Sequence, residues 1–202
     1  MCFRANFFVL LLFLTMNDAF AVDCLGKLRE NIGGASQLML LDDGGVMAFS
    51  GIRTVLLAVR SEDSQRSVGE THQGPSVDNS NVYAAAAPDG IRNHAPVGSY
   101  GVAIDRKKQV AVPFVVADTT SEFGEASGAL AKRVRGVRKD ADNFSNTQHQ
   151  GNSVLWVFFG KKFGTATDIK YSEATNKTAA QAFKHWGGKA RLSACLVRAP
   201  RI

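Results

Sequence analysis

Short apolar runs separated by clusters of glycine and aspartate constrain the fold of this chain more than any other feature. Residues 37–41 and 46–50 flank Asp-Asp-Gly-Gly at 42–45, a combination that predicts a β-hairpin. Further apolar runs of strand length lie at 54–59, 82–87, 98–104, 109–116 and 153–159. The runs at 98–104 and 109–116 predict a second hairpin. The run at 153–159 is apolar on both faces, which is typical of a central strand.

Helical periodicity is confined to a few modest segments. We expect a short helix at 24–32, a second that begins near residue 125, a third at 178–186 that ends at two glycines, and a closing strand at 190–197. Many short strands with few helices predict a β-rich α+β fold, pictured as a small, partly closed β-barrel with two or three peripheral helices. The polar segment 60–81 is expected to be an exposed loop.

The first 21 residues have the features of a secretory signal peptide. Arg4 provides an early positive charge, residues 7–14 are apolar, and Ala-Phe-Ala at 19–21 supplies the small residues of a cleavage site. The apolar run is too short for a membrane-spanning helix, which needs about 20 apolar residues. We therefore expect residues 22–202 to form one exported domain, secreted or periplasmic, without a membrane span.

Two cysteines remain once the signal peptide is removed. Cys24 lies near the start of the mature chain and Cys195 near its end, and an even pair in an exported protein predicts a disulfide bond. In the chain-entropy model, closing so long a loop stabilises the fold by up to about 5 kcal/mol. A metal site is the alternative for this pair, but no further cysteine or histidine cluster accompanies it. We therefore expect neither a metal nor a cofactor.

The formal net charge of +6 favours loose attraction to anionic surfaces. The densest basic cluster lies within 132–139 and could contact phosphates. Export and the absence of a recognisable nucleic-acid module favour a solvated helix face instead. We therefore expect no nucleic-acid partner, and a monomer.

A pair of carboxylates follows one of the apolar runs. Asp118 comes directly after the run at 110–117, and Glu125 opens the segment 125–134, which has apolar residues on one helical face. The turn between the two residues can bring their side chains together for acid/base catalysis. Carboxylates are also common caps at the ends of strands and helices, so the residues alone leave a structural role open.

The segment around this pair resembles the core motif of a known enzyme family. Phe-Val-Val-Ala-Asp-Thr at 114–119, Phe-Gly-Glu-Ala-Ser at 123–127 and Ala-Leu-Ala at 129–131 are similar to the motif of the fungal-type chitosanases, glycoside hydrolase family 75. The apolar run at 154–160 resembles a later strand of that family. The motif is also similar to the Asp-Thr-Gly stretch of double-psi β-barrels, a fold that agrees with the barrel expected above.

The resemblance implies that Asp118 and Glu125 are the catalytic pair of an inverting glycosidase. Which of the two carboxylates is the acid stays open at this point, and we favour Glu125 as the proton donor and Asp118 as the base that activates water. Thr119, beside the base, and Trp186, an aromatic residue at a predicted helix end, are the expected substrate-binding residues. The chain departs from the family pattern in two ways, since the loop between the carboxylates is shorter than usual and Lys161 stands where proline is common.

The substrate class implied by the resemblance is a β-1,4-linked amino-sugar polysaccharide, whether chitosan, chitin or a peptidoglycan-like polymer. A protein of net charge +6 repels polycationic chitosan at long range unless its cleft is acidic. The acetylation and other substituents of the polymer therefore stay open. The alternative is a secreted protein that binds or inhibits on the same fold without catalysis. The two hypotheses differ in whether the carboxylates share a common space.

Overall fold

The computed structural model describes residues 24–32, 35–52, 54–55, 81–135, 154–165 and 173–199. The predicted signal peptide and nearly all of the predicted polar loop lie outside these ranges. In the part of the chain that is described, no helix is long and apolar enough to cross a membrane.

The described residues form one mixed sheet of nine strands and three α-helices. The strands are β1 (Gly26–Ile32), β2 (Ala35–Leu41), β3 (Val46–Ser50), β4 (Thr54–Val55), β5 (Ala84–Pro88), β6 (Tyr100–Asp105), β7 (Ala111–Thr120), β8 (Glu125–Ala126) and β9 (Val154–Phe158). The helices are α1 (Gly128–Arg135), α2 (Glu173–Trp186) and α3 (Gly188–Arg198). The strand order is β1-β2-β3-β9-β6-β7-β5-β8-β4. The predicted α+β class is therefore confirmed, but these strands leave the sheet open and do not close it into a barrel.

Both predicted hairpins and the predicted central strand are present. β2 and β3 pair antiparallel with Leu38 opposite Ala48. The turn between them needs glycine because Gly44 has a φ of 90°, a backbone conformation that other residues rarely adopt. β6 and β7 form the second hairpin. β9 lies between β3 and β6, and each of its five residues is buried.

Two predicted elements have the wrong type. The expected helix at 24–32 is strand β1, which pairs with β2 from Gly26 opposite Leu41 to Ile32 opposite Ala35. Pairing with an adjacent strand outweighs the weak helical spacing of so short a segment. The expected closing strand is helix α3, which buries Arg191, Leu192 and Cys195. Burial at this spacing marks one face of a helix rather than the alternation of a strand.

The sheet has a hydrophobic core on each face. On one face, which we call the α2 face, residues such as Tyr100, Val115 and Phe159 pack with α2 and α3. On the other, the α1 face, Phe114, Trp156 and Phe158 pack with α1. The Phe114 ring meets those of Trp156 and Phe158 edge-on, with centroids 5.8 and 5.4 Å apart, an arrangement favoured by aromatic quadrupoles.

The predicted disulfide is confirmed. Cys24 and Cys195 are bonded across a sequence separation of 171 residues, with their Cα atoms 4.9 Å apart. The bond joins the residues just before β1 to α3 on the α2 face. A buried disulfide of this kind fits a protein that folds in an oxidising compartment.

Candidate active site

Strand β7 is the element that carries Asp118. It does not end at this residue, as the sequence suggested, but continues to Thr120. Its first half pairs antiparallel with β6 and its second half pairs parallel with β5. Asp118 therefore lies within a paired, buried segment, which restricts the position of its backbone.

A β-bulge changes the face to which Asp118 points. Val116 is opposite Ala85 and Asp118 is opposite Ala86, so Ala117 is an extra residue on β7. Ala86 belongs to the core of the α2 face, whereas Ala85 belongs to that of the α1 face. Residues directly opposite each other in a sheet share a face. The bulge therefore directs Asp118 to the α2 face, and without it Asp118 would share the α1 face with Val116.

Glu125 is the first residue of strand β8, so the prediction that it lies in the first helical turn is wrong. The helix is capped by Ser127 instead, whose Oγ accepts a hydrogen bond from the Leu130 N–H at 3.1 Å. β8 pairs antiparallel with β5 through Ala126 opposite Ala85, both in the core of the α1 face. The next position along this register places Glu125 opposite Ala86, on the α2 face.

Asp118, Ala86 and Glu125 thus form a row across three adjacent strands, which we call the carboxylate row. Neighbouring strands are about 4.8 Å apart, so the two acidic residues have Cα atoms about 10 Å apart. The alanine between them carries only a methyl group. Cα atoms at this spacing allow the two carboxyl groups to lie about 6.5–9.5 Å apart, the separation that inverting glycosidases need for a water molecule.

The two carboxylates differ in their surroundings. Asp118 is only 5% exposed, and its Oδ1 accepts a hydrogen bond from the Thr119 N–H at 2.7 Å. Glu125 is half-buried. Thr119 is opposite Ala87, a residue of the α1 face, so the register turns its exposed side chain away from the row. The contribution of Thr119 to this site is therefore its backbone N–H, which orients the Asp118 carboxylate.

The loop that links the two carboxylates is fixed at its centre. Phe123 is 1% exposed and belongs to the core of the α1 face, and its carbonyl accepts a hydrogen bond from Ser50 Oγ at 3.2 Å. Gly124 follows with a φ of 108°, a conformation that disfavours any side chain there. A short loop pinned in this way keeps β7 and β8 in one relative position.

Ser127 is a positioning residue that the sequence motif contained but to which no role was assigned. Its Oγ donates a hydrogen bond to the Val82 carbonyl at 2.6 Å and accepts one from the Ala84 N–H at 3.1 Å. Together with the cap on α1, these bonds tie the start of β5 to the end of β8. The signal for the cap was available, since a serine directly before a helical apolar pattern is a typical N-cap.

Trp186, the second expected substrate-binding residue, is buried. It is 1% exposed, its ring stacks on Phe159 at 4.9 Å between centroids, and the Arg191 guanidinium lies 4.6 Å from its centroid. Arg191 also forms an ion pair with Asp43 at 2.7 Å. The indole fills the core of the α2 face, because the helix end that carries it packs on the sheet instead of facing solvent.

The remaining candidates from the sequence were a metal site and the basic cluster. Among the described residues no group of three or more histidine, cysteine, aspartate or glutamate side chains could hold a metal ion. The described part of the basic cluster is Lys132, Arg133 and Arg135, in the last turn of α1. Burial lowers the pKa of the Arg135 guanidinium and nearby Asp105 opposes this effect, so Arg135 is partly enclosed by the fold.

No protein-family model matches this chain, and no curated protein matches it either. The likeness to the fungal-type chitosanases therefore rests on the motif residues themselves.

Proposed function

We propose that this protein is a secreted glycoside hydrolase that cleaves β-1,4-linked amino-sugar polysaccharide with inversion of the anomeric centre. The observation that carries the proposal is the carboxylate row, in which Asp118 and Glu125 flank Ala86 on one face of the sheet. The motif resemblance assigns the same two residues. Two lines of argument, one from register and one from motif, therefore lead to one pair.

In the proposed chemistry the two carboxyl groups have separate roles. Glu125, half-buried at the start of β8, donates a proton to the glycosidic oxygen as the bond to the anomeric carbon breaks. Asp118 accepts a proton from a water molecule, whose oxygen bonds to the anomeric carbon from the opposite side. The Thr119 N–H donates a hydrogen bond to one Asp118 oxygen and so fixes the orientation of the carboxylate that acts as the base. After one turnover the acid has lost a proton and the base has gained one, and exchange with solvent restores both.

The proposed substrate class rests on the motif resemblance, and the proposed substituents of the polymer rest on the net charge of the chain. A chain of charge +6 suits a neutral or anionic polymer better than fully deacetylated chitosan. We therefore rank chitin-like and peptidoglycan-like polymers, and partly acetylated chitosan, above chitosan without acetyl groups. The partly closed, double-psi barrel of the implied family would require strands beyond the open sheet formed by the described residues.

The test is release of reducing ends from chitosan of several degrees of acetylation, chitin and peptidoglycan. Asp118→Asn and Glu125→Gln should each lower kcat by about 10²- to 10⁴-fold, the usual contribution of an acid or base group. Glu122→Gln is the matched control, because Glu122 is an exposed acidic residue of the same loop, and its activity should stay close to that of the wild type. Hydrolysis that survives both Asp118→Asn and Glu125→Gln would reject the site.

A non-catalytic binding protein is the second candidate, and the burial of Asp118 at 5% exposure is the observation that favours it. In that case wild-type protein binds one of these polymers, releases no reducing ends, and keeps its affinity in the Asp118→Asn variant. The same samples thus separate the two functions.

A further inference from the structure

A cavity of about 320 Å³ lies on the α2 face, outside the carboxylate row. One side of the cavity is formed by α2, and the opposite side is formed by the segment that follows β9. The lining residues are Tyr100, Phe163, Gly164, Thr165, Thr178, Gln181, Ala182 and His185. None of the described residues that line it is acidic.

The cavity and the carboxylate row lie toward the same ends of the strands. β6 is antiparallel to both β7 and β9, so β7 and β9 run in the same direction, and β5 runs parallel to β7. Phe163 and Thr165 follow the end of β9, as Asp118 lies near the end of β7. The cavity and the carboxylate row therefore lie on the same side of α2. The first half of α2 is held near the start of β5, where Asn176 Oδ1 accepts a hydrogen bond from the Tyr83 N–H.

The separation of the two features suits an extended ligand. Tyr100, which lines the cavity, is opposite Val115 on β7. Asp118 lies three residues further along this strand, about 10 Å from that point. Tyr100 and Val115 belong to the core of the α2 face, the face to which the β5–β7 register assigns Asp118. A chain laid across the strand ends from β8 to β9 would pass the carboxylates and then reach the cavity.

We propose that this cavity is a distal subsite that binds an N-acetylated sugar unit of the substrate. The inference rests on the proposed function and adds to it a second contact and a preference for acetylated units. Thr178 and Gln181 provide polar groups of the kind that bind sugar hydroxyls and an acetamide, and both are exposed. Phe163 is half-buried, with its ring edge-on to His185 at 5.8 Å between centroids, and offers the apolar surface that a sugar ring or acetyl methyl packs against.

Charge determines the preference for the acetylated unit. The Lys162 Nζ lies 5.9 Å from the Phe163 centroid, and Lys161 is exposed beside it. A glucosamine ammonium group placed here would meet like charge without a carboxylate among the described lining residues to offset it. An N-acetyl group is neutral and avoids this repulsion.

The experiment measures binding of hexameric chito-oligosaccharides, fully acetylated or fully deacetylated, to full-length Glu125→Gln protein by calorimetry. Gln181→Ala and Phe163→Ala, each added to Glu125→Gln, should weaken binding of the acetylated hexamer by about three- to tenfold, as expected for loss of one polar or apolar contact. Lys184→Ala, an exposed change on α2 that does not line the cavity, is the matched control and should leave the affinity unchanged. Thermal unfolding checks that each variant is folded.

Each outcome of this experiment has a distinct meaning. Equal affinity of all folded variants, with wild-type protein still hydrolysing polymer, would overturn the subsite and leave the proposed function intact. Tighter binding of the deacetylated hexamer would overturn the preference for acetylated units. If wild-type protein releases no reducing ends and Glu125→Gln binds neither hexamer, the proposed function fails first and the subsite fails with it.

Discussion

The two ends of the sheet are built in different ways. At one end, β1, β2 and β3 pair antiparallel with their sequence neighbours, and the disulfide joins the residues before β1 to α3. We call this the stapled half. At the other end, β5 pairs parallel with β7 and antiparallel with β8, and a bulge interrupts the register. We call this the carboxylate half.

The difference separates a part of the sheet that is held by short connections from the part that carries the proposed active site. Hairpins bring residues together at low entropic cost because their loops are short, and a disulfide further restricts the unfolded chain. The carboxylate half uses strand pairs of longer sequence separation, a bulge and small alanines, which position two acidic side chains on one face. The proposed active site therefore lies where pairing is least regular, and β-bulges are over-represented next to active sites.

The largest expected effect is on stability, in the core that supports the stapled half. Trp186→Ala should lower the free energy of unfolding by about 3–5 kcal/mol, because it removes a buried ring from the core of the α2 face. It also removes the ring beneath the Arg191 guanidinium. Chemical denaturation measures the loss. Hydrolysis per folded molecule should stay near that of wild type, and a specific loss of substrate affinity would restore Trp186 as a binding residue.

The double substitution Cys24→Ser and Cys195→Ser should have the next largest effect. Loss of a native disulfide costs about 2–5 kcal/mol in small exported domains, and this one closes a long segment. Activity at temperatures well below unfolding should survive, because the bond lies in the stapled half. Wild-type protein with and without reductant provides the comparison, and unchanged denaturation midpoints would show that the bond does not stabilise the fold.

In the stapled half, turn residues predicted the structure correctly, whereas the periodicity of apolar residues did not. Asp-Asp-Gly-Gly at 42–45 located the β2–β3 hairpin because the turn itself requires these residues. β1 and α3 were assigned the wrong type, since their apolar residues fit both periods over so short a length and tertiary pairing decided between them. Local pattern is therefore a good guide to turns and a weaker one to isolated short elements.

In the carboxylate half the sequence proposed a pair of residues but did not predict the strands that carry them. The motif identified Asp118 and Glu125, and the expected route was a strand end followed by a helix start. The observed route passes through Ala86 of β5, a strand some 30 residues earlier in the chain. Neither the bulge at Ala117 nor this long-range partner leaves a local signal that could have been read from periodicity.

Ala86→Val tests the carboxylate row directly. Two extra methyl groups between the acidic side chains should displace one of them, and a shift of about 1 Å at a catalytic site can cost about 100-fold in rate. Ala87→Val is the matched control, since Ala87 is the next residue, equally buried, but on the α1 face. Both changes crowd a core and should cost about 1–3 kcal/mol of stability. Equal loss of kcat in the two folded variants would mean that Ala86 does not separate the catalytic pair.

Ser127→Ala should have a smaller effect, confined to the carboxylate half. The change leaves the Ala84 and Leu130 N–H groups and the Val82 carbonyl without their hydroxyl partner, a loss of about 1–3 kcal/mol. Ser127→Thr keeps a hydroxyl and is the conservative comparison. Hydrogen exchange should rise at β5 and α1 and stay constant at β2 and β3. A uniform rise over the whole sheet would show that the two halves unfold as one unit and contradict the division between them.

The smallest expected effect concerns pH and involves β6, which joins the two halves. Burial raises the pKa of the Tyr100 hydroxyl above its ordinary value of 10.0, so the folded protein binds this proton more tightly than the unfolded chain does. The resulting stabilisation is complete below about pH 10 and is lost as pH rises through the folded-state pKa. Tyr100→Phe should therefore lose less stability than wild type between pH 9 and about pH 11, measured by denaturation at each pH. Tyr83→Phe, at a half-buried tyrosine beside β5, is the comparison, and the same pH dependence in Tyr100→Phe and wild type would show that the Tyr100 proton does not contribute.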